Sequence, residues 1–140
     1  MFRPELTPEV LNQRGGGYLP HLIGIEIIKI TADSLTARLP IRSDLLAPNG
    51  YLHAAAVVAL ADTAAGYGTI VNLPEGASSF TTIELKSNFL GTARDGVILC
   101  TATPAHLGRT TQVWDAVVRS EGAARPLALF RCTQLILYPR

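Results

Sequence analysis

Hydrophobic and polar positions divide the chain into one long helical stretch and a series of strands. From Asn49 to Thr69 the residues are almost free of charge and rich in Ala, and this reads as a central helix ending near Leu73-Pro74, where Pro blocks continuation. Before it, Thr7-Pro8-Glu9 has the form of a helix start, a capping Thr followed by Pro and an acid, with the helix stopping ahead of Gly15-Gly16-Gly17. Residues 23–30 are Ile-rich and read as a strand, turned at Ala32-Asp33 into an alternating return strand over 35–41. Ser43 to Gly50 reads as a loop. Four more strands follow, at 80–90, 97–104, 112–119 and 127–137. The links between them, 91–96, 105–109 and 121–123, are short, which predicts antiparallel neighbours. In the first of these strands, strict alternation puts Thr82, Glu84, Lys86 and Asn88 on one face, and Ile83, Leu85, Ser87 and Phe89 on the other. The order helix, two strands, long helix, four strands predicts a single α+β domain over 1–140, with residues 1–19 as an N-terminal helix and Gly-rich joint. Its sheet is mostly antiparallel. Tyr18 to Leu22 form a turn or the lip of a pocket.

Composition narrows the partners. The chain has 140 residues, 48% hydrophobic, with 12 Lys+Arg against 11 Asp+Glu. No basic block points to nucleic acid. The only long uncharged run is Ala- and Gly-rich and holds an acid, so it is not read as membrane-spanning. Met1 to Glu5 lack a signal-peptide pattern, which together with Cys100 and Cys132 in apolar strand patterns predicts a cytoplasmic protein with two reduced core thiols. Three scattered His and two core Cys have no metal-ligand spacing, and no metal or separate cofactor is expected.

Two features of the helix concern chemistry. Six Ala between His53 and Ala65 make a slim cylinder that lets a sheet approach closely. Asp62 lies in the middle of this apolar run, where a carboxylate has a raised pKa and suits a general base. Unpaired N–H groups at the helix start suit an oxyanion.

The pattern Gly50-x-x-His53-Ala54-Ala55 with Leu60-Ala61-Asp62-Thr63-Ala64 resembles the helix-start signature of the hot-dog-fold acyl-CoA thioesterases, in the PaaI-like and 4-hydroxybenzoyl-CoA thioesterase group. The strand 81–90 and the turn Gly108-Arg109-Thr110 are similar to that family too, and the resemblance covers roughly residues 20 to 138. It implies a long helix wrapped by a curved sheet and hydrolysis of acyl-CoA to free acid and CoA, with coenzyme A as part of the substrate. It also implies a homodimer, paired into a tetramer, whose sites are shared between chains. The N–H of Ala54 would polarise the carbonyl, and Asp62 would act as base or nucleophile, with His53 and Thr82 positioning the groups. Asn49, Gly50, Phe89, Arg94, His106, Gly108, Arg109 and Thr110 would contact the substrate, the two Arg suiting phosphate. Spacing agrees with sharing, since Ala54 and Asp62 are about 12 Å apart along one helix. The chain departs from the family where Gly-Gly after the His is Ala54-Ala55, and where an Asn six residues earlier is Ala47. These departures leave a non-catalytic acyl-CoA-binding or scaffold protein as an alternative. A hot-dog hydratase is a weaker one, since Asp44 and His53 do not fit its motif.

Overall fold

The central helix begins where a side chain first satisfies its free end. In the computed structural model, which describes residues 1–140, His53 is the N-cap: its backbone is extended and its Nδ1 accepts the Ala55 N–H at 2.9 Å. The helix therefore spans Ala54–Val71 rather than starting at Asn49 (numbered α3 below). Residues 47–52 form a tight turn instead. Ala47 N–H donates to Tyr51 O, Asn49 Oδ1 accepts the Tyr51 N–H, and Gly50 takes φ +86°.

Ahead of α3 lie α1 (Pro8–Arg14) and a short α2 (Leu19–Ile23), then strands β1 (Glu26–Thr31) and β2 (Ser34–Pro40) and a 3-10 turn at Ser43–Leu45. The capping reading of Thr7 holds, with its hydroxyl accepting the Val10 N–H. Ile23 is the last residue of α2 and not part of a strand. Gly24 at φ +96° ends that helix, with its N–H on the carbonyls of Pro20 and His21. The expected loop at 43–50 likewise contains one helical turn.

Four strands follow α3: β3 (Ser79–Phe89), β4 (Val97–Leu107), β5 (Thr111–Ser120) and β6 (Pro126–Leu137). All pair antiparallel in one six-stranded sheet of order β1-β2-β4-β5-β6-β3. This is the expected α+β hot-dog architecture, with α3 packed against five of the six strands. One neighbour relation differs from the sequence reading. The 91–96 link does not close a hairpin, because β3 pairs with β6 at the sheet edge. The link crosses three strand spacings, about 14 Å, which its six residues span easily. Backbone bonds pin it across the end of the sheet: Gly91 N–H to Leu127 O, Leu52 N–H to Ala93 O, and Ile41 N–H to Gly96 O.

Bulges correct two further expectations. Ile83 is an extra residue in β3, opposite no partner, so the alternation flips after Thr82. Thr82 shares the inner face with Phe80, Leu85, Ser87 and Phe89, whereas Glu84, Lys86 and Asn88 face outward with Thr133, Arg131 and Leu129. A second bulge, at Ala105, carries β4 on through His106 and Leu107, so these two residues belong to a strand rather than a turn.

Small residues do let the sheet close on α3. Ala56, Ala61, Ala64 and Ala65 are buried, and Phe80 lies over Gly66. Trp114 lies over Gly68, is itself buried, and donates its Nε1–H to Gln112 Oε1 at 2.9 Å. Gln112 in turn donates to Asn72 O at the end of the helix. A Cβ at Gly68 would sit 2.7 Å from the Trp114 ring. Gly68→Ala is therefore expected to destabilise by up to roughly 2 kcal/mol, because overpacking of about 1–3 kcal/mol outweighs a helix-propensity gain of about 1 kcal/mol. Thermal denaturation of the variant should show a midpoint about 5 °C lower. Cys100 and Cys132 are free, buried thiols, as expected.

Candidate active site

At the start of α3, the first-turn N–H groups are almost all engaged. Ala55 donates to His53 Nδ1, and Ala56 and Val57 donate to His53 O. The Ala54 N–H is left without a partner, so it is the donor open to a ligand. Because His53 Nδ1 is an acceptor, the neutral ring carries its proton on Nε2, a second donor at the same helix end.

Two cavities flank this end. One, of about 150 Å³, is lined by Ala54 and Phe89 with Leu52, Val57, Ala93 and Leu127. The other, of about 330 Å³, lies on the opposite side of the helix and is mostly aliphatic, with Leu19 and Ile23 of α2, Leu45, Leu46, Ala55, Ala56 and Ala59, beside His53 and Asp44. The anticipated lip at 18–22 is thus a helical turn whose Leu19 faces the cavity. Arg42 holds α2 there: its guanidinium donates to Leu22 O and Ile23 O and pairs with Asp44.

Asp62 lies on a stripe of α3 that the sheet leaves partly open, with Ala55, Val58, Ala59 and Thr63. Its Oδ1 is nonetheless buried and has no hydrogen-bond partner. Burial alone holds its carboxyl above the usual carboxylate range. Its charge acts on Cys132 of β6, whose thiol is pushed up to about 12 by burial and then by Asp62. Thr82 lies on the inner face of β3, opposite Gln134. It lies between Phe80, which packs over Gly66 one helical turn beyond Asp62, and Leu85, which pairs with Cys132. Its hydroxyl donates to Gln134 Oε1 at 2.7 Å.

The remaining candidates fall at two ends of the molecule. Arg94 stacks on Tyr51, 4.2 Å from the ring centroid, near the start of α3. Asn49 and Gly50 are in the same region, but the Asn49 side-chain oxygen is engaged by the Tyr51 N–H. Gly108, Arg109 and Thr110 form the β4–β5 turn at the far end of the helix, where a cavity of about 200 Å³ is lined by Asn72, Pro74, Gly108 and Arg109. Arg109 is held there, with its guanidinium over Tyr138 and its carbonyl accepting the Tyr138 hydroxyl. His106 is exposed on β4, and its Nε2 would lie 2.5 Å from a Cβ at Gly108. Eighteen helical residues, about 27 Å, separate this turn from Ala54. One chain thus brings His53, Ala54, Phe89 and Arg94 to one end of α3, with Asp62 farther along the helix and Arg109 at its other end. Two relevant residues were missed from sequence, Gln134 and Arg42. Gln134 had a visible signal: it is the one polar residue in the inward series Ala128, Phe130, Cys132, Gln134, Ile136.

Comparison with known proteins shows which family the chain resembles. The thioesterase superfamily profile matches residues 49–126, which span the helix start, Asp62 and the sheet strands around them. The 1,4-dihydroxy-2-naphthoyl-CoA hydrolases of Escherichia coli and Listeria monocytogenes are 32% and 31% identical to the chain. The matches cover 86% and 82% of it, and 88% and 92% of those proteins. The crystal structure of a mutant thioesterase from Pseudomonas aeruginosa superposes with a TM-score of 0.91 at 29% identity, over 97% of both chains. The chain belongs to the thioesterase superfamily, and its activity is thioester hydrolysis.

Proposed function

We propose that the protein hydrolyses an acyl-CoA in two equivalent sites, each built from both chains of a homodimer. The observation that carries this reading is the separation of two unspent groups on one helix. The free Ala54 N–H and the unpartnered Asp62 carboxylate are about 12 Å apart along α3, too far to act on one carbonyl. Antiparallel apposition of two α3 helices would bring Ala54 of one chain to Asp62 of the other. Two surfaces support such pairing: the open stripe of α3, and the edge strand β3, where Ile83, Leu85 and Phe89 are exposed. The exposed Leu129, Leu135 and Leu137 of β6 offer a further face for pairing dimers into a tetramer.

In each site, the thioester oxygen accepts from Ala54 N–H and His53 Nε2–H, so negative charge developing there is stabilised by fixed donors at a helix N-terminus. Asp62 takes a proton from water as the water oxygen bonds to the carbonyl carbon. The C–S bond then breaks, and the departing CoA thiolate takes that proton from Asp62, leaving the free acid. Burial suits Asp62 to this relay, since a raised pKa brings it closer to the operating range. The aliphatic cavity beside His53 fits an apolar acyl group, and relatives named for a naphthoyl-CoA favour an aromatic one. Arg94 from the near end and Arg109 from the partner's far end serve the CoA phosphates. Two buried reduced thiols are in keeping with a cytoplasmic location.

Thiol release from a panel of aromatic and linear acyl-CoAs tests this reading. Aromatic substrates are expected to turn over fastest, and tight binding without release would instead mark a binding protein. In the same assay, Arg109→Ala should raise KM about tenfold with kcat nearly unchanged, since a charge-assisted contact to phosphate is worth about 1.5–3 kcal/mol.

A further inference from the structure

Tyr138 follows the last residue of β6 and ties the end of that strand to the β4–β5 turn. Its hydroxyl donates to Arg109 O at 2.6 Å, and its ring centroid lies 5.6 Å from the Arg109 Cζ, within reach of a cation–π contact. The next carbonyl of the turn, Thr110 O, accepts the Ile136 N–H at 2.9 Å. Two successive carbonyls of the turn are thus held by the end of β6. The turn is also closed on itself, by Gly108 N–H to Thr111 O at 2.9 Å. The Tyr138 ring sits beside the loop after α3, its Cδ1 and Cε1 4.0 Å from where a Cβ on Gly76 would lie.

The guanidinium held in this way has no opposite charge within the chain. The three ion pairs are Arg38–Glu26, Arg42–Asp44 and Arg131–Asp115, so Arg109 has no carboxylate partner. Stacking occupies the face of a guanidinium and leaves its edge N–H groups, the ones that grip phosphate, open. Arg94, the other cation that serves the CoA phosphates, is built alike: it lies 4.2 Å from the Tyr51 ring centroid and is in no ion pair. We propose that Tyr138 is a positioning residue for substrate binding: by gripping both the carbonyl and the guanidinium of Arg109, it holds that charge ready for a phosphate of the CoA tail. The inference rests on the reading of Arg109 as a phosphate ligand. An exposed arginine samples many rotamers, and ordering it on binding weakens the contact. A ring already beside the guanidinium removes part of that loss, and a pinned carbonyl fixes where the side chain starts. Tyr138 touches no reacting atom, so its removal acts through binding of the phosphates.

One acyl group carried on CoA and on pantetheine, which lacks the nucleotide and its phosphates, separates this role from a structural one. The readout is the ratio of kcat/KM for the two thioesters, measured by thiol release with the full-length protein. Arg109→Ala should lower the ratio about tenfold, through KM for the CoA ester. Tyr138→Leu, which removes both contacts, should lower it about fivefold, and Tyr138→Phe, which keeps the ring, about twofold. Arg109→Ala combined with Tyr138→Leu should fall no lower than Arg109→Ala alone, because Tyr138 acts through Arg109. If Tyr138→Leu does not fold, Tyr138→Phe and its combination with Arg109→Ala give the same comparison at smaller amplitude. Equal losses on both thioesters, or additive losses in the double variant, would overturn the role of Tyr138. An unmoved ratio in Arg109→Ala would instead defeat the phosphate reading on which it rests.

Discussion

Asp62→Asn is expected to lose about a thousandfold in kcat while KM stays within a few-fold, because Asn keeps the shape of the side chain but cannot take the proton of the water. Stopped or steady-state thiol release on the purified variant measures this directly, and a variant as fast as the parent would remove Asp62 from the mechanism. Stability should move the opposite way. The Asp62 carboxyl titrates higher in the folded chain than in the unfolded one, because its charged form is buried without a partner. The folded state therefore holds more protons between the two values, and stability falls as pH rises from the unfolded pKa through the folded one. At neutral pH that penalty is present in the parent and absent in Asp62→Asn. The thermal midpoint of the variant should be equal to or above that of the parent near pH 7, and the difference should vanish in acid. A stability-for-activity exchange of this kind marks a strained functional group rather than a structural one.

The second large effect concerns a backbone atom, which no ordinary side-chain substitution reaches. Ala54→Pro removes the one free N–H of the first turn and little else. Proline is well tolerated at the first helical position, and His53 already has the extended backbone (φ −66°, ψ 135°) that a following proline requires. The variant should fold with a thermal midpoint close to the parent, yet lose about 10²–10³ in kcat, the usual cost of one oxyanion donor. It also separates a shared site from an intramolecular one. Ala54→Pro and Asp62→Asn subunits, each inactive alone, would be denatured together and refolded. Random pairing makes roughly half of the dimers mixed, and each mixed dimer has one intact site, so about a quarter of parental activity should return. If Ala54 and Asp62 acted within one chain, no site in the mixture would be intact and nothing would return.

Much of this protein was readable before folding was considered, and the reason is local. The start of α1 at Thr7-Pro8, the long Ala-rich helix and the alternating runs of β2, β5 and β6 depend on neighbours within a few residues. Asp62 stood out because a lone acid in an apolar run conflicts with its surroundings whatever the fold. The misreadings are equally specific. Ile23 is as apolar as its strand neighbours, and only Gly24 at positive φ, together with Arg42 on the α2 carbonyls, makes it the end of a helix. The bulge at Ile83 leaves no mark in an alternating sequence. It turned Thr82 away from Glu84 and Lys86 and toward Gln134.

By itself, the sequence determined the element types, the α+β class, the capped Ala-rich helix and the presence of a carboxylate and a free helix start on it. These are properties of nearest-neighbour backbone geometry and of burial periodicity. Tertiary structure alone decided that β3 leaves its chain neighbour β4 to pair with β6, since strand partnership is set by how a curved sheet closes on a slim helix. It also decided which N–H stays free after His53 caps its own helix, which lone pairs Thr82 has left, and that Arg94 and Arg109 lie at opposite ends of α3. Those outcomes depend on contacts between residues tens of positions apart, whose energies become available only after the chain has paid the entropy of bringing them together.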